Sequence, residues 1–292
     1  MSEPTDLQLR RGVLAVSVLH DVDVDPCPLG VMMPGKPTLS VPWGECRTAL
    51  AGRHPESDEG RARLAAWLLA RRRARDLPSE RLVAVLRPVG LPTDHVLHPG
   101  GSWVRERVLG NALDLGLGAV GLDPADPDRV DLLPTPALVT AGISPVTAWE
   151  GARVYLEQMG ALAVARLGRD ARGVLRPFGD CDVLTLLGSR TLRQALADEH
   201  QGLAPVLAPM RRRGWTRLAL VDPAFGPAAA AATDAVDRGF PRPLLITADE
   251  LTLVAPGGRP QDVLSVPAAT DPWSGSVVVD GSPARALLYG DR

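Results

Sequence analysis

Proline and glycine interrupt this chain along its whole length. The 292 residues include 28 prolines and 29 glycines, which are scattered and follow no period. Proline lacks a backbone donor and glycine favours turns, so long uninterrupted helices and strands are disfavoured. Because apolar residues still make up 45% of the chain, we expect a packed fold with many turns and long ordered connections.

The charge balance narrows the classes of partner. The net charge is −2 and aromatic residues are only 4% of the chain, which disfavours nucleic acid and anionic membrane surfaces. No apolar stretch approaches the roughly 18 residues of a membrane span. The partner that we expect is therefore a second copy of the chain or another protein.

Cysteine usage and the N-terminus predict a cytoplasmic protein. The three cysteines, Cys27, Cys46 and Cys181, are widely spaced and form no CxxC pair. A disulfide framework is disfavoured, and reduced thiols fit best. The first eight residues are polar and acidic, unlike a signal peptide. A single lysine against 31 arginines is typical of a bacterial genome rich in G and C.

The first half of the chain predicts an alternation of elements and long loops. Period-two spacing indicates a strand over residues 12–24, and Ser57 is placed to cap a helix over 58–75. Ser144 and Pro145 begin a long helix that ends near Gly168. The other predicted elements are the loops 26–56 and 88–101, a strand at 81–87, a helix at 103–115, and strands within 117–122 and 129–133.

The second half of the chain carries shorter predicted elements. They are strands at 182–187, 216–221, 243–247, 251–254 and 262–266, helices at 190–200, 203–213 and 227–238, and a hairpin within 276–289. Residues 216–247 have the alternation of a βαβ unit, which predicts parallel pairing. We therefore predict an α/β fold, with a mixed, partly parallel sheet and packed helices. It forms either one large domain or two subdomains, residues 1–170 and 171–292.

Two glycine patterns resemble phosphate-binding motifs without completing them. Gly30 to Lys36 fits the first seven positions of a P-loop, but Pro37 stands where the motif requires Ser or Thr. Gly116 to Gly121 fits GxGxxG, yet it follows a predicted helix instead of a strand. We expect the second run to mark a helix C-terminus that turns into a strand, with glycines that allow a close backbone approach. In the first run, Lys36 is a candidate anion-binding residue.

Polar residues at the end of the first predicted strand and in the loop 88–101 are candidates for catalysis. Asp21, Asp23 and Asp25 would share one face at the end of the first predicted strand, where a carboxylate can act as general base. His95 and His98 lie in a proline-bounded loop, and either is a candidate general base. We take Asp23, His95 and His98 as the catalytic candidates and predict no metal site, while the cofactor stays unknown.

The remaining signals favour structure over catalysis. Two carboxylates flank Cys181 and would raise the pKa of its thiol, so we expect a buried structural cysteine. The basic runs 71–75 and 211–213 end predicted helices, where cations are favourable on dipole grounds. No GxSxG and no SxxK sequence occurs.

Three functional hypotheses follow. The first is a cytosolic binding or assembly protein without catalysis. The second is an enzyme whose loops 26–56 and 88–101 meet over one site, built from Asp21, Asp23, Asp25, Lys36, His95 and His98 and dependent on phosphate or metal. The third is a nucleotide-binding protein that uses Lys36.

Overall fold

The computed structural model describes residues 3–170, 172–255, 277–279 and 282–284. Its helices are α1 (Asp6–Leu19), α2 (Trp43–Leu50), α3 (Asp58–Asp76), α4 (Ser79–Val85), α5 (Thr135–Thr140), α6 (Pro145–Leu167), α7 (Val183–Leu187), α8 (Arg190–Glu199) and α9 (Phe225–Ala232). None of the helices in these ranges is both long and apolar enough to cross a membrane.

The strands are short. In chain order they are β1 (Asp25–Cys27), β2 (Gly30–Met33), β3 (Leu39–Pro42), β4 (Leu86–Pro92), β5 (Arg105–Arg107), β6 (Leu113–Val120), β7 (Val130–Leu132), β8 (Val174–Leu175), β9 (Ala204–Met210), β10 (Arg213–Trp215), β11 (Leu244–Ile246), β12 (Leu251–Leu253), β13 (Val277–Val279) and β14 (Ser282–Ala284). Single 3-10 turns occupy Gly100–Ser102 and Leu218–Leu220.

The first element is a helix, and the predicted strand at 12–24 is wrong. The Thr5 hydroxyl accepts a hydrogen bond from the Gln8 backbone N–H, and the Gln8 side chain accepts one from the Thr5 backbone N–H. This capping box starts α1. Leu9, Val13 and Val16 are buried at helical spacing. The apolar run from Val13 to Leu19 fits a period of two equally well, but the cap and the buried face select the helix.

Residues 26–56 are ordered elements, so the predicted irregular loop is wrong. Strands β1, β2 and β3 form an antiparallel sheet in that order, and α2 follows directly. Buried side chains of this sheet, including Val31 and Met33, join a hydrophobic cluster with α1, α2 and α3. These elements form the N-terminal part of the described structure.

Helix α3 confirms its prediction and ties the N-terminal part to the next sheet. The Ser57 hydroxyl accepts a hydrogen bond from the Gly60 N–H at 3.1 Å and caps the helix. Arg71 is buried on its inner face and pairs with the half-buried Glu45 of α2. Arg71 Nη2 also donates to the Leu132 carbonyl of β7 at 2.8 Å.

The next sheet is built around β6. This strand pairs antiparallel with β4 along one edge and with β5 and β7 along the other. The predicted helix at 103–115 is therefore wrong, and residues 81–87 are mostly helix α4. Every residue of β6 except the last is buried, and apolar side chains at 113, 115, 117 and 119 alternate with Asp114, Gly116 and Gly118. A period of two, in which the glycines occupy every second position, is typical of a strand.

The GxGxxG run lies inside β6 and its turn, so the expected helix C-terminus is wrong, whereas the expected close backbone approach is confirmed. A Cβ added at Gly116 would lie 2.2 Å from the Trp103 ring, so the indole packs directly on the strand backbone. The indole N–H donates to the Leu117 carbonyl at 2.7 Å. Gly121, at the end of the run, has φ +75°, a turn conformation that favours glycine.

The C-terminal sheet has the order β12-β11-β9-β10-β8, and every described strand pair is antiparallel. The predicted helix at 203–213 is wrong because β9 and β10 form a hairpin there. The predicted strand at 216–221 is wrong, because this segment contains a 3-10 turn. The described residues therefore form no βαβ unit here, and the prediction of a partly parallel sheet is wrong. An isolated parallel bridge joins Leu109 to Glu250 outside the strand pairs.

Other predictions in this half have mixed outcomes. The predicted strand at 182–187 is wrong, because these residues form helix α7. The Asp182 side chain caps its N-terminus by accepting a hydrogen bond from the Thr185 N–H. Helix 190–200 and the strands at 243–247 and 251–254 are confirmed by α8, β11 and β12, and helix 227–238 overlaps α9. The predicted hairpin is confirmed where it is described, since β13 pairs antiparallel with β14. The strand at 262–266 lies outside the described residues.

The long helix predicted from Ser144 is confirmed as α6, which packs against α8 and β4. One hydrophobic cluster contains residues from both sides of position 170, among them Leu115 and Leu156 before it and Leu184 and Leu192 after it. The division of the chain at residue 170 stays a prediction.

The packing of Trp103 on Gly116 predicts a strong effect of one methyl group. Gly116→Ala should lower the free energy of unfolding by about 1–3 kcal/mol, because the added Cβ overlaps the indole. Urea denaturation measures the change. Gly44→Ala in α2, where an added Cβ meets nothing within 4 Å, is the control and should be neutral or mildly stabilising. Equal effects at the two positions would contradict the packing.

Candidate functional site

The acidic residues and the lysine singled out from the sequence lie on the surface. Asp21, Asp23 and Asp25 are exposed in the segment between α1 and β2, and Asp21 has φ +52° in the turn after α1. Lys36 is exposed in the turn between β2 and β3. Within the described residues, these four side chains make no hydrogen bond or ion pair with one another or with either candidate histidine.

The two histidines lie in the turn that follows β4. His95 N–H donates to the Pro92 carbonyl at 3.0 Å, and His98 N–H donates to the His95 carbonyl at 2.9 Å. The loop therefore curls and directs both rings inward. The side chain of His98 is 8% exposed in this turn, and His95 is 9% exposed.

A buried carboxylate that sequence reasoning missed holds His98 in place. Asp114 of β6 is fully buried and accepts from His98 Nε2 at 2.9 Å. It also accepts from Arg105 Nη1 at 2.9 Å and from Arg107 Nε and Nη2 at 2.7 and 3.0 Å. Burial alone would raise the pKa of Asp114. The hydrogen bonds from Arg107 and His98, with the charges of Arg107 and Arg105, outweigh it and hold the pKa below its ordinary value.

Both ring nitrogens of His98 are already used. The Gly100 N–H donates to Nδ1 at 3.0 Å, which places the ring proton on Nε2, where it is donated to Asp114. The Trp103 ring packs edge-on against the imidazole at 5.5 Å between centroids. A general base needs one nitrogen free to take a proton. The observed contacts use His98 as a structural link between its loop and β6.

His95 has one unused nitrogen, but it is buried. The Leu97 N–H donates to Nδ1 at 3.2 Å, so Nε2 carries the proton, and Nε2 has no partner within the described residues. Burial and the positive charge of Arg211 lower the pKa of His95 to about 4, against the opposing charges of Asp182 and Asp94. The ring is therefore neutral at pH 7.

Two open depressions lie apart from these residues. One, of about 470 Å³, is lined by residues that include Arg53, Asp234 and Arg238. The other, of about 580 Å³, is lined by residues of α6 and α8. In it the Glu157 carboxylate accepts from Ser189 Oγ and from the Arg190 and Thr191 N–H groups, and so caps α8.

The described residues offer neither a group of metal ligands nor a reactive thiol at Cys181. No three His, Cys, Asp or Glu side chains there are grouped to hold a metal ion. Burial, with the charges of Asp182 and Asp180, raises the pKa of the Cys181 thiol to about 12. The prediction of a buried structural cysteine at this position is confirmed.

Several apolar side chains lie exposed on the outward face of α1, a feature that the strand prediction concealed. Leu7, Leu14 and Val18 are 57%, 40% and 81% exposed, and Leu19 beside them is 73% exposed. The first three are separated by seven and four residues, so they lie within about 20° of one line along the helix. We call these three residues the α1 stripe. A helical reading of residues 6–19 would have revealed it.

Comparison with known proteins adds no functional information. A scan against protein-family models, a search of curated proteins and a search of solved structures each found no match for the chain.

The contacts of Asp114 predict a structural loss when its charge is removed. Asp114→Asn should lower the free energy of unfolding by about 2 kcal/mol, because charge-assisted hydrogen bonds are weakened in a buried setting. Denaturant titration measures the loss. Asp234→Asn is the matched control, since Asp234 pairs with Arg53 and Arg63 at an exposed position. It should change stability by less than about 1 kcal/mol. A larger loss at Asp234 would contradict the assignment.

The neutral state of His95 predicts a pH dependence of stability. The folded pKa, about 4, lies below the ordinary value of 6.5, so between these values the unfolded chain binds more protons. Stability from this group is complete above pH 6.5 and falls, by up to about 3 kcal/mol, as the pH drops toward 4. His95→Asn, whose side-chain oxygen can replace Nδ1 as acceptor, should flatten the slope measured by urea denaturation at several pH values. An unchanged slope would rule out this source.

Proposed function

We propose that the protein is a binding or assembly protein without catalysis, and that the α1 stripe is the centre of its docking surface. The observation that carries the proposal is the exposure of three aligned apolar side chains on a helix whose other face is core. Burying one such side chain against a partner would contribute about 1.5–3 kcal/mol to the free energy of binding. Scattered apolar residues need no explanation, but an aligned set marks an interaction surface.

The exposed apolar residues of α6 provide a useful contrast. Val146, Val154 and Leu162 are 67%, 59% and 48% exposed. They are eight residues apart, and each step of eight turns the direction of the side chain by about 80°. These side chains therefore point to different sides of the helix, whereas the α1 stripe follows one line. Exposure alone does not distinguish α1, but alignment does.

The polar residues support the same proposal. The groups around Asp114 bond to one another, and His98 has no nitrogen left for a substrate. The alternative proposal, an enzyme with a loop-built site, needs Lys36 and the aspartates to act together with the histidines. The first group borders the sheet β1–β3, and the histidines lie against β6. We therefore favour docking over catalysis.

The cytoplasmic location and the protein nature of the partner also belong to this proposal. They are supported by the net charge of −2, the low aromatic content and the three free cysteines. The anion-binding role of Lys36 has only its exposed position in support.

Cysteine footprinting in cells tests the docking surface without naming its partner. Val18→Cys, in a Cys27→Ser background, should react with a maleimide at least about fivefold more slowly in overproducing cells, where the chain is concentrated enough to hold its partner, than in dilute purified protein. The reason is that a bound partner covers the stripe. Peptide mass spectrometry measures the labelled fraction at residue 18.

Val154→Cys on α6 is the matched control, because Val154 is also exposed on a helix. Its labelling rate should be the same in cells and in dilute purified protein. If Val18→Cys is labelled as fast in cells as the control, the α1 stripe is not a docking surface and the proposed function is wrong.

A further inference from the structure

We propose that the partner on the α1 stripe is a second copy of this chain, packed with its α1 antiparallel to the first about a twofold axis level with Val16. The inference rests on the proposed function, because it names the occupant of the same surface. It is carried by the charges at the two ends of the stripe, which have opposite signs and few partners.

The N-terminal half of the stripe presents one uncommitted cation, Arg11, because the acidic Asp6 of the first turn pairs with Arg47. Arg11 lies between Leu7 and Leu14 along the helix and about 40° from the line of the stripe. It is exposed and makes no side-chain hydrogen bond or ion pair with the described residues. Its neighbour Arg10 is committed to the Pro26 carbonyl. Arg11 is thus a cation free to meet a partner.

The C-terminal end of the stripe is acidic. Exposed Asp21, Asp23 and Asp25 follow α1, and the last turn of α1 contains no basic residue. Carboxylates beyond a helix C-terminus repel the negative end of its dipole. Arg72 approaches this end, but its Nη1 donates to the main-chain carbonyl of Asp21. The three carboxylates have no ion-pair partner within the described part of the chain.

A twofold axis level with Val16 brings these complementary features together. Leu14 of one copy then lies level with Val18 of the other. Arg11 lies level with Asp21 and close to Asp23 of the other copy. Each contact occurs twice, as an isologous interface requires. The antiparallel arrangement also sets each helix dipole against the opposite end of its partner. A parallel arrangement would instead place Arg11 beside Arg11.

The size of the surface sets the expected strength. A 14-residue helix packed on its copy covers less than the roughly 1,200 Å² at which standard interfaces begin. The dimer should therefore be weak, with a dissociation constant of about 10–100 µM. Because charge pairs at its ends are exposed, it should weaken further as salt is added.

Charge exchange tests the antiparallel geometry. Sedimentation velocity of the full-length chain from about 1 to 500 µM should show wild type passing from monomer to dimer. Arg11→Glu and Asp23→Arg should each raise the dissociation constant about tenfold or more, because both symmetric contacts become repulsive. An equimolar mixture of the two variants should recover dimerisation, since the carboxylate introduced in one variant now meets the guanidinium introduced in the other. The chain with both substitutions should also recover.

Controls separate charge effects from folding. Arg81→Glu changes an exposed arginine of α4 that has no side-chain partner among the described residues, and should leave dimerisation unchanged. Urea denaturation should give all variants the stability of wild type within about 0.5 kcal/mol, because both substituted positions are exposed. If wild type dimerises but the mixture does not recover, the dimer uses another surface and the proposal is wrong.

The remaining outcomes distinguish this proposal from the proposed function. A wild-type chain that stays monomeric to 500 µM overturns the second copy as partner. If Val18→Cys is nevertheless protected in cells, a different protein occupies α1 and the proposed function stands. If Val18→Cys is also unprotected in cells, both the dimer and the proposed function are wrong. Protection in dilute purified protein would show that another segment of the same chain covers the stripe, and would also overturn the dimer.

Discussion

The buried charge of Asp114 is the constraint around which the central part of this protein is arranged. A carboxylate without water must be matched by donors, and this one has four, from a histidine and two arginines. Through them β6 holds the edge strand β5 and the turn that contains both histidines. The same strand pairs with β4 and β7, so one residue connects the sheet to its loops.

Sequence patterns predicted the helices that have long periods and clear caps. Ser57 and Ser144 mark the starts of α3 and α6, and the apolar spacing extends far enough to exclude a strand. Two of the errors fell on a short segment and on a largely apolar one. In residues 13–19 nearly every position is apolar, so periods of two and 3.6 both fit. Helix α7 has only five residues, too few for its period to be recognised.

The candidate site was harder to predict than the fold. His95 and His98 could be selected as polar residues in a loop, but the role of Asp114 depends on contacts across the sheet. In β6 it occupies the face that strand alternation assigns to solvent, with Gly116 and Gly118 as its neighbours on that face. The Trp103 ring covers Gly116, and nothing local in the sequence predicts this. The α1 stripe was missed for a different reason, because its residues were assigned to a strand.

The three thiols differ in their environments, and this has a consequence for the response to oxidants. Burial raises the pKa of the Cys46 and Cys181 thiols to about 12, so almost none of either is the reactive thiolate at neutral pH. Cys27 in β1 is only half-buried, so its thiol is the most accessible to solvent of the three. Mild oxidation should therefore modify this N-terminal hairpin first and leave the sulfur atoms of the core unchanged, so that redox damage begins beside α1 and not within the sheets.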